Sequence, residues 1–148
     1  MPQSQVIAPL ELIMNRTFNA PRERVFRAWT EAAELDRWFK PDPEARVTAS
    51  VDLRVGGAYR IDMVQGDRNY GAFGTYREIR PPERLVFTWT ALNCGDTTAE
   101  DTLVTVEFFD ADGKTQVTLT HQHFPTSEVR DRHNSGWNAC FERLKTIL

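Results

Sequence analysis

The final stretch of the chain, residues 127–148, constrains the fold more than any other part of the sequence. Its apolar side chains recur at steps of three and four, which predicts an amphipathic α-helix with a single apolar stripe. The stripe comprises Val129, His133, Trp137, Cys140, Phe141, Leu144, Ile147 and Leu148. Ser127 is the predicted N-cap, since its hydroxyl can accept a hydrogen bond from the first turn. A stripe this long needs a large partner surface to cover it.

Gly136 interrupts this helix beside Trp137. A glycine inside a helix costs about 1 kcal/mol relative to alanine, so its presence needs a structural reason. The expected reason is the close approach of another backbone.

Most of the preceding chain alternates between polar and apolar residues, which is typical of strands. Strands are predicted at residues 10–18, 46–51, 58–64, 71–79, 85–90, 102–109 and 115–124. Helical spacing between the first two strands predicts two short helices, ended by Pro41 and Pro43. The expected fold class is therefore α+β, a curved antiparallel sheet wrapped around one long C-terminal helix.

Composition narrows the class of protein. The 148 residues are 41% hydrophobic and 26% charged with a net charge of −3, which indicates one soluble globular domain over residues 1–148. Residues 1–9 are expected to be a flexible lead-in, without the features of a signal peptide. No apolar run is long enough to span a membrane, and no cluster of basic residues indicates nucleic-acid binding. A cytoplasmic protein is therefore expected. The sequence has two cysteines, Cys94 in a polar loop and Cys140 in the last helix, which are too few for a disulfide framework.

Several segments together carry a resemblance to a known family. NRTFNAPRERVFRAWTEAAELDRWFKPD, GTYREIRPPERLVFTW and SGWNACFERLKTIL occur in this order and resemble the heat-shock protein 90 ATPase activator homologue-like family of the START-like (SRPBCC) superfamily. The resemblance begins at Leu10 and implies the helix-grip fold. It also implies a range of functions, from carriers of apolar ligands to enzymes and co-chaperones in the stress response.

One helix covers only part of a wide concave sheet, so a cavity is expected between them. The alternative is that the same side chains interlock as an ordinary core. The candidate lining residues are Trp38, Phe39, Tyr59, Ile61, Met63, Phe87, Trp89, Trp137 and Phe141.

His121 and His123 lie two residues apart on one predicted strand and should project to the same face. Such a pair can share a metal, shuttle protons or form hydrogen bonds with a ligand, and His133 is expected to approach it. Because no further ligands occur at a recognisable spacing, no metal, cofactor or catalytic residue is predicted.

Arg16 lies on the apolar face of the first strand, where its guanidinium could anchor an anionic head group. The structural alternative is an ion pair with Glu78 or Glu107, since a buried arginine must be paired.

Three functional hypotheses follow. The first is a protein, monomeric or homodimeric, that binds an apolar or amphipathic small molecule under the last helix. The second is an enzyme of the same fold with a histidine acid or base. The third is an interaction module that acts on a chaperone.

Overall fold

The chain forms seven strands and three helices within residues 10–93 and 98–148, the part that the computed structural model describes. The strands are β1 (Glu11–Phe18), β2 (Arg46–Val51), β3 (Ala58–Gln65), β4 (Arg68–Arg80), β5 (Arg84–Leu92), β6 (Thr102–Ala111) and β7 (Lys114–Gln122). The helices are α1 (Arg22–Thr30), α2 (Ala32–Trp38) and α3 (Ser127–Ile147). The predictions for residues 1–9 and for Cys94 lie outside the described residues.

All seven strands belong to one antiparallel sheet, in the order β1, β7, β6, β5, β4, β3, β2. The register of β4 against β5 shifts between Tyr76 and Glu78. A bulge of this kind bends the strand and increases its twist, which helps the sheet to curve. The predicted α+β helix-grip architecture is confirmed.

Helix α3 buries the predicted stripe from Val129 to Leu144. Its N-cap is Thr126 rather than Ser127, because the Thr126 hydroxyl accepts a hydrogen bond of 3.1 Å from the Val129 N–H. At the other end, Arg24 donates to the Ile147 carbonyl over 3.3 Å, which places a positive charge at the negative end of the helix dipole. Within residues 10–93 and 98–148, no helix is long and apolar enough to cross a membrane.

Helices α1 and α2 close the space between α3 and the sheet at one end. Trp29 of α1 is the centre of this packing, with ring centroids 4.8 Å from Trp38, 5.9 Å from Phe141 and 6.0 Å from Trp137. These aromatic contacts fill the core at one end of α3, so any free volume must lie towards the other end.

Candidate functional site: a cavity under α3

A cavity of about 460 Å³ lies between the middle of α3 and strands β3, β4 and β5, the region where helix and sheet are expected to leave space. Its walls are Phe39, Pro41, Met63, Arg68, Tyr70, Gly71, Trp89, Ala91, Arg132, His133, Ser135, Gly136, Trp137, Ala139 and Cys140. Arg68, Arg132 and Ser135 are exposed, so the mouth of the cavity lies where these residues meet the solvent.

Small residues create this volume. Ala91 on the sheet and Gly136 and Ala139 on the helix line the cavity. None of these three has a side chain larger than a methyl group, whereas the core at the other end of α3 is filled by aromatic rings.

Three aromatic rings form the inner wall. The ring of Phe39 lies 5.8 Å from that of Trp89 and 5.4 Å from that of Trp137, and the two indoles are 5.2 Å apart. These mutual contacts hold the rings in fixed positions, so the inner wall is a rigid apolar surface.

Four of the predicted lining residues, Phe39, Met63, Trp89 and Trp137, border the cavity. Tyr59, Ile61 and Phe87 lie behind the aromatic wall, around a separate space of about 20 Å³ that is the size of one water molecule.

The two other aromatic candidates belong to the core. Trp38 is fully buried and donates its indole N–H to the Ala28 carbonyl over 2.8 Å. Phe141 packs on Phe18 and Trp29, with ring centroids 5.9 Å from each. Neither borders the cavity.

His133 lies in the cavity wall, with both ring nitrogens occupied. The Trp89 indole N–H donates to His133 Nε2 over 3.2 Å, and His133 Nδ1 lies 2.9 Å from the Val129 carbonyl. An indole can only donate and a carbonyl can only accept, so the proton resides on Nδ1 and the ring is neutral. Burial lowers the pKa of His133, while the hydrogen bond to the Val129 carbonyl partly opposes that shift.

His121 forms a second histidine–tryptophan pair, with Trp137, behind the aromatic wall. The Trp137 indole N–H donates to His121 Nδ1 over 3.1 Å, so the proton is on Nε2 and is donated to the Thr102 hydroxyl over 2.8 Å. Thr102 in turn donates to the Trp89 carbonyl over 2.8 Å. Burial, and secondarily the nearby His133, hold the pKa of His121 well below its ordinary value.

These hydrogen bonds form a Trp–His network of five residues, Trp89, Thr102, His121, His133 and Trp137. Its two imidazoles lie 5.3 Å apart, so the expectation that His133 approaches His121 is met. Each imidazole accepts from an indole only while it is neutral. The network therefore locks the aromatic wall in place and leaves neither histidine a free lone pair for proton transfer.

Comparison of the sequence with models of protein families identifies the family of this chain. The family model for activator of Hsp90 ATPase homolog 1-like (AHSA1-like) proteins matches residues 19–148. This chain belongs to that family. The resemblance drawn from the sequence segments is thereby confirmed. No protein among the curated ones matches the sequence significantly.

Solved structures show the same fold. A Chromobacterium violaceum protein is 22% identical with a TM-score of 0.82, and the match covers 93% of this chain and 96% of that one. An AHSA1-like protein of Aeromonas hydrophila is 23% identical with a TM-score of 0.78, covering 92% and 90% of the two chains. A Nitrosomonas europaea protein is 24% identical with a TM-score of 0.76, covering 94% of each.

In this AHSA1-like chain, His123 does not share a face with His121, and that prediction is wrong. Strand β7 ends at Gln122, and His123 adopts a positive φ of 75° that turns its exposed side chain away from the alternation. The period of two applies only while the backbone stays extended. Among residues 10–93 and 98–148, no three His, Cys, Asp or Glu side chains are grouped to hold a metal ion.

Arg16 does not border the cavity. Its guanidinium donates to the side-chain oxygen of Asn138 on α3, and its Nε is buried without a hydrogen-bond partner among the described residues. The predicted alternative is also wrong, because Glu78 and Glu107 both pair with Arg84 instead. Arg16 therefore ties β1 to α3 as a structural residue.

The close backbone approach expected at Gly136 does not occur among residues 10–93 and 98–148. Of these residues, a Cβ at Gly136 would meet only the Pro41 Cβ, at 4.0 Å, which is ordinary contact. Close approach occurs instead within the sheet, where a Cβ at Gly74 would lie 2.0 Å from the Thr88 carbonyl oxygen. Gly136 thus faces the cavity, and its missing side chain contributes to the free volume.

The sequence pattern does not identify Arg68 and Tyr70 as lining residues, because the turn-like composition of QGDRN predicts that β4 starts at Gly71. The strand begins at Arg68, and the alternation that includes Ala72 extends back through Tyr70 to Arg68. Counting the period of two backwards from Ala72 would have found both.

Replacing Thr102 with valine should lower the free energy of unfolding by about 1–3 kcal/mol, because the His121 Nε2–H then has no acceptor in a fully buried position. Thr102→Ser is the matched control, since it keeps the hydroxyl and loses one methyl group. Urea denaturation measures both. Equal midpoints for the two variants would contradict a role for the hydroxyl.

Proposed function

We propose that this AHSA1-like protein binds a small, mostly apolar molecule in the cavity under α3. The observation that carries the proposal is the volume of about 460 Å³ behind a mouth at the protein surface. Ligand pockets in proteins commonly measure about 300–1,000 Å³ and are lined by apolar and aromatic side chains with few polar groups.

The chemistry of the walls favours binding over catalysis. Both ring nitrogens of His133 are engaged, and burial raises the pKa of the Cys140 thiol to about 12, which keeps it protonated and unreactive. A ligand there would meet aromatic rings, methyl groups and a thiol. These groups provide contact area and shape, and none is poised as a nucleophile or a base.

Gly136→Leu offers a direct test. The added side chain would start 4.0 Å from Pro41 and extend into the cavity, so it should narrow the space available to a ligand. We expect the affinity for phenylnaphthylamine, a neutral fluorescent apolar probe, to fall by about ten- to a hundredfold, the range that overpacking of a filled site produces. We also expect the helix to gain about 1 kcal/mol of stability from the loss of glycine.

Asn134→Leu is the matched control, because Asn134 is exposed on the same helix and does not line the cavity. It introduces the same side chain outside the proposed site and should leave probe affinity unchanged. The proposal fails if wild-type protein binds no apolar probe, or if both leucine variants bind it as wild type does.

A chaperone partner is the second candidate, and membership of the AHSA1-like family is the observation that favours it. It predicts that the chain stimulates the ATPase of an Hsp90 chaperone and that Gly136→Leu, which alters only the cavity, leaves that stimulation intact. Absence of stimulation over a titration of this chain would reject this candidate.

A further inference from the structure

The charged residues that line the cavity within the described part of the chain are all of one sign. Arg68 and Arg132 border it, and no Asp or Glu occurs among the described residues that line it. The chain as a whole carries a net charge of −3, so a positive mouth is opposite to the sign of the protein. Complementary charge at a binding site selects ligands of the opposite sign.

Arg68 is held at this mouth by its own strand. It is the first residue of β4, directly after the Gly66–Asp67 hairpin loop, and its guanidinium carbon lies 4.5 Å from the centre of the Tyr70 ring. Tyr70 is itself buried in the cavity wall. Stacking on an aromatic face leaves the N–H groups at the edge of the guanidinium plane available to an anion.

Arg68 has no carboxylate partner in residues 10–93 and 98–148, because none of the ion pairs there includes it. Its N–H groups can therefore be offered to a ligand without breaking an ion pair of the described chain.

We infer that the ligand is an apolar molecule with one anionic group, of the carboxylate or sulfonate class, and that Arg68 binds the anion at the mouth while the apolar body enters the cavity. This inference rests on the proposed function. The anion-binding role, one of the two alternatives that the sequence left open for Arg16, is here assigned to an arginine that the fold places beside the cavity.

Two dyes that share an apolar body test the charge separately from the cavity. Phenylnaphthylamine is neutral, and anilinonaphthalenesulfonate adds one sulfonate to the same ring system. In Arg68→Gln we expect the affinity for the sulfonate dye to fall by about three- to tenfold, while the affinity for the neutral dye changes by less than about twofold.

Arg77→Gln is the matched control. Arg77 lies on the same strand, is exposed and does not line the cavity, so its loss changes the net charge equally without touching the mouth. The sulfonate dye should also bind wild type more weakly as salt is added, because an ion pair at a surface is screened.

The outcomes separate the two proposals. If the neutral dye binds but Arg68→Gln and Arg77→Gln weaken the sulfonate dye equally, or neither weakens it, the anionic ligand class is wrong and the apolar cavity stands. If neither dye binds wild-type protein, the proposed binding function is wrong as well, and this inference is rejected with it.

Discussion

Replacing Trp137 with alanine is expected to lower the free energy of unfolding by about 3–5 kcal/mol, the range observed for large aromatic truncations in cores. Trp137 is buried on α3, stacks near Trp29 and contacts Phe39 and Trp89 across the aromatic wall. Its removal takes contacts from both α1 and the sheet, so the packing of α3 against them is weakened. Urea denaturation followed by circular dichroism measures the change.

Trp137→Phe separates packing from hydrogen bonding. Phenylalanine keeps an aromatic ring in the wall but removes the N–H that His121 Nδ1 accepts. This variant should be destabilised by less than the alanine variant, by about 1–3 kcal/mol for the unpaired acceptor. A midpoint for Trp137→Ala equal to that of wild type would show that the aromatic wall does not hold α3 to the sheet.

The second large effect is expected on acidification. The native pKa values of His121 and His133 both lie below the ordinary value of 6.5, mainly because burial disfavours the charged rings. Below pH 6.5 the unfolded chain therefore binds protons that the native state does not, and the free energy of unfolding falls as the pH falls. The slope reaches about 1.4 kcal/mol per pH unit for each histidine that stays neutral in the native state.

From about one pH unit above 6.5, both states are nearly neutral at these rings, so their contribution is constant there. Burial raises the pKa of Glu34, but its ion pair with Arg24 and the charge of Arg37 outweigh burial, so the pKa is lowered. Its contribution to the free energy of unfolding is therefore also lost as the pH falls, but only below the ordinary value of 4.5. The window between pH 6.5 and 5 therefore reports on the histidines.

Stability measured by urea at a series of pH values tests this expectation. His133→Gln, which retains one acceptor and one donor, should reduce the slope, whereas His123→Gln removes an exposed histidine outside the Trp–His network and should not. NMR of the imidazole carbons provides a reading independent of folding. Half-protonation of either native ring at pH 6.5 would contradict the network described above.

The secondary structure followed largely from local patterns. Strand β2 has the predicted bounds of Arg46–Val51, and α3 begins at Ser127, one residue before the start that Ser127 as the N-cap would give. The misplaced boundaries lie where a polar turn or a change of backbone direction interrupts the alternation, at the start of β4 and the end of β7. At these positions local composition describes the turn, while pairing with the neighbouring strand decides how far the ladder extends.

The candidate site was harder to predict from the sequence than the secondary structure. Aromatic residues with the same inward alternation separated into three environments, the cavity, the small inner space and the closed core. Trp137 and Phe141 lie one helical turn apart on the same stripe, yet only Trp137 borders the cavity. The difference comes from what each meets across the interface, which no local spacing encodes.

By itself, the sequence determined the helix-grip fold, because a period of two along the strands and a 3.6-residue period along the last helix leave few ways to bury both apolar faces. Only the tertiary structure decided where the free volume lies, since it arises from small residues that are distant in the sequence, such as Ala91 and Gly136. The tertiary structure also decided which nitrogen of each histidine carries the proton. A tautomer is set by the donor and acceptor that reach the ring, and here those partners come from other strands and helices.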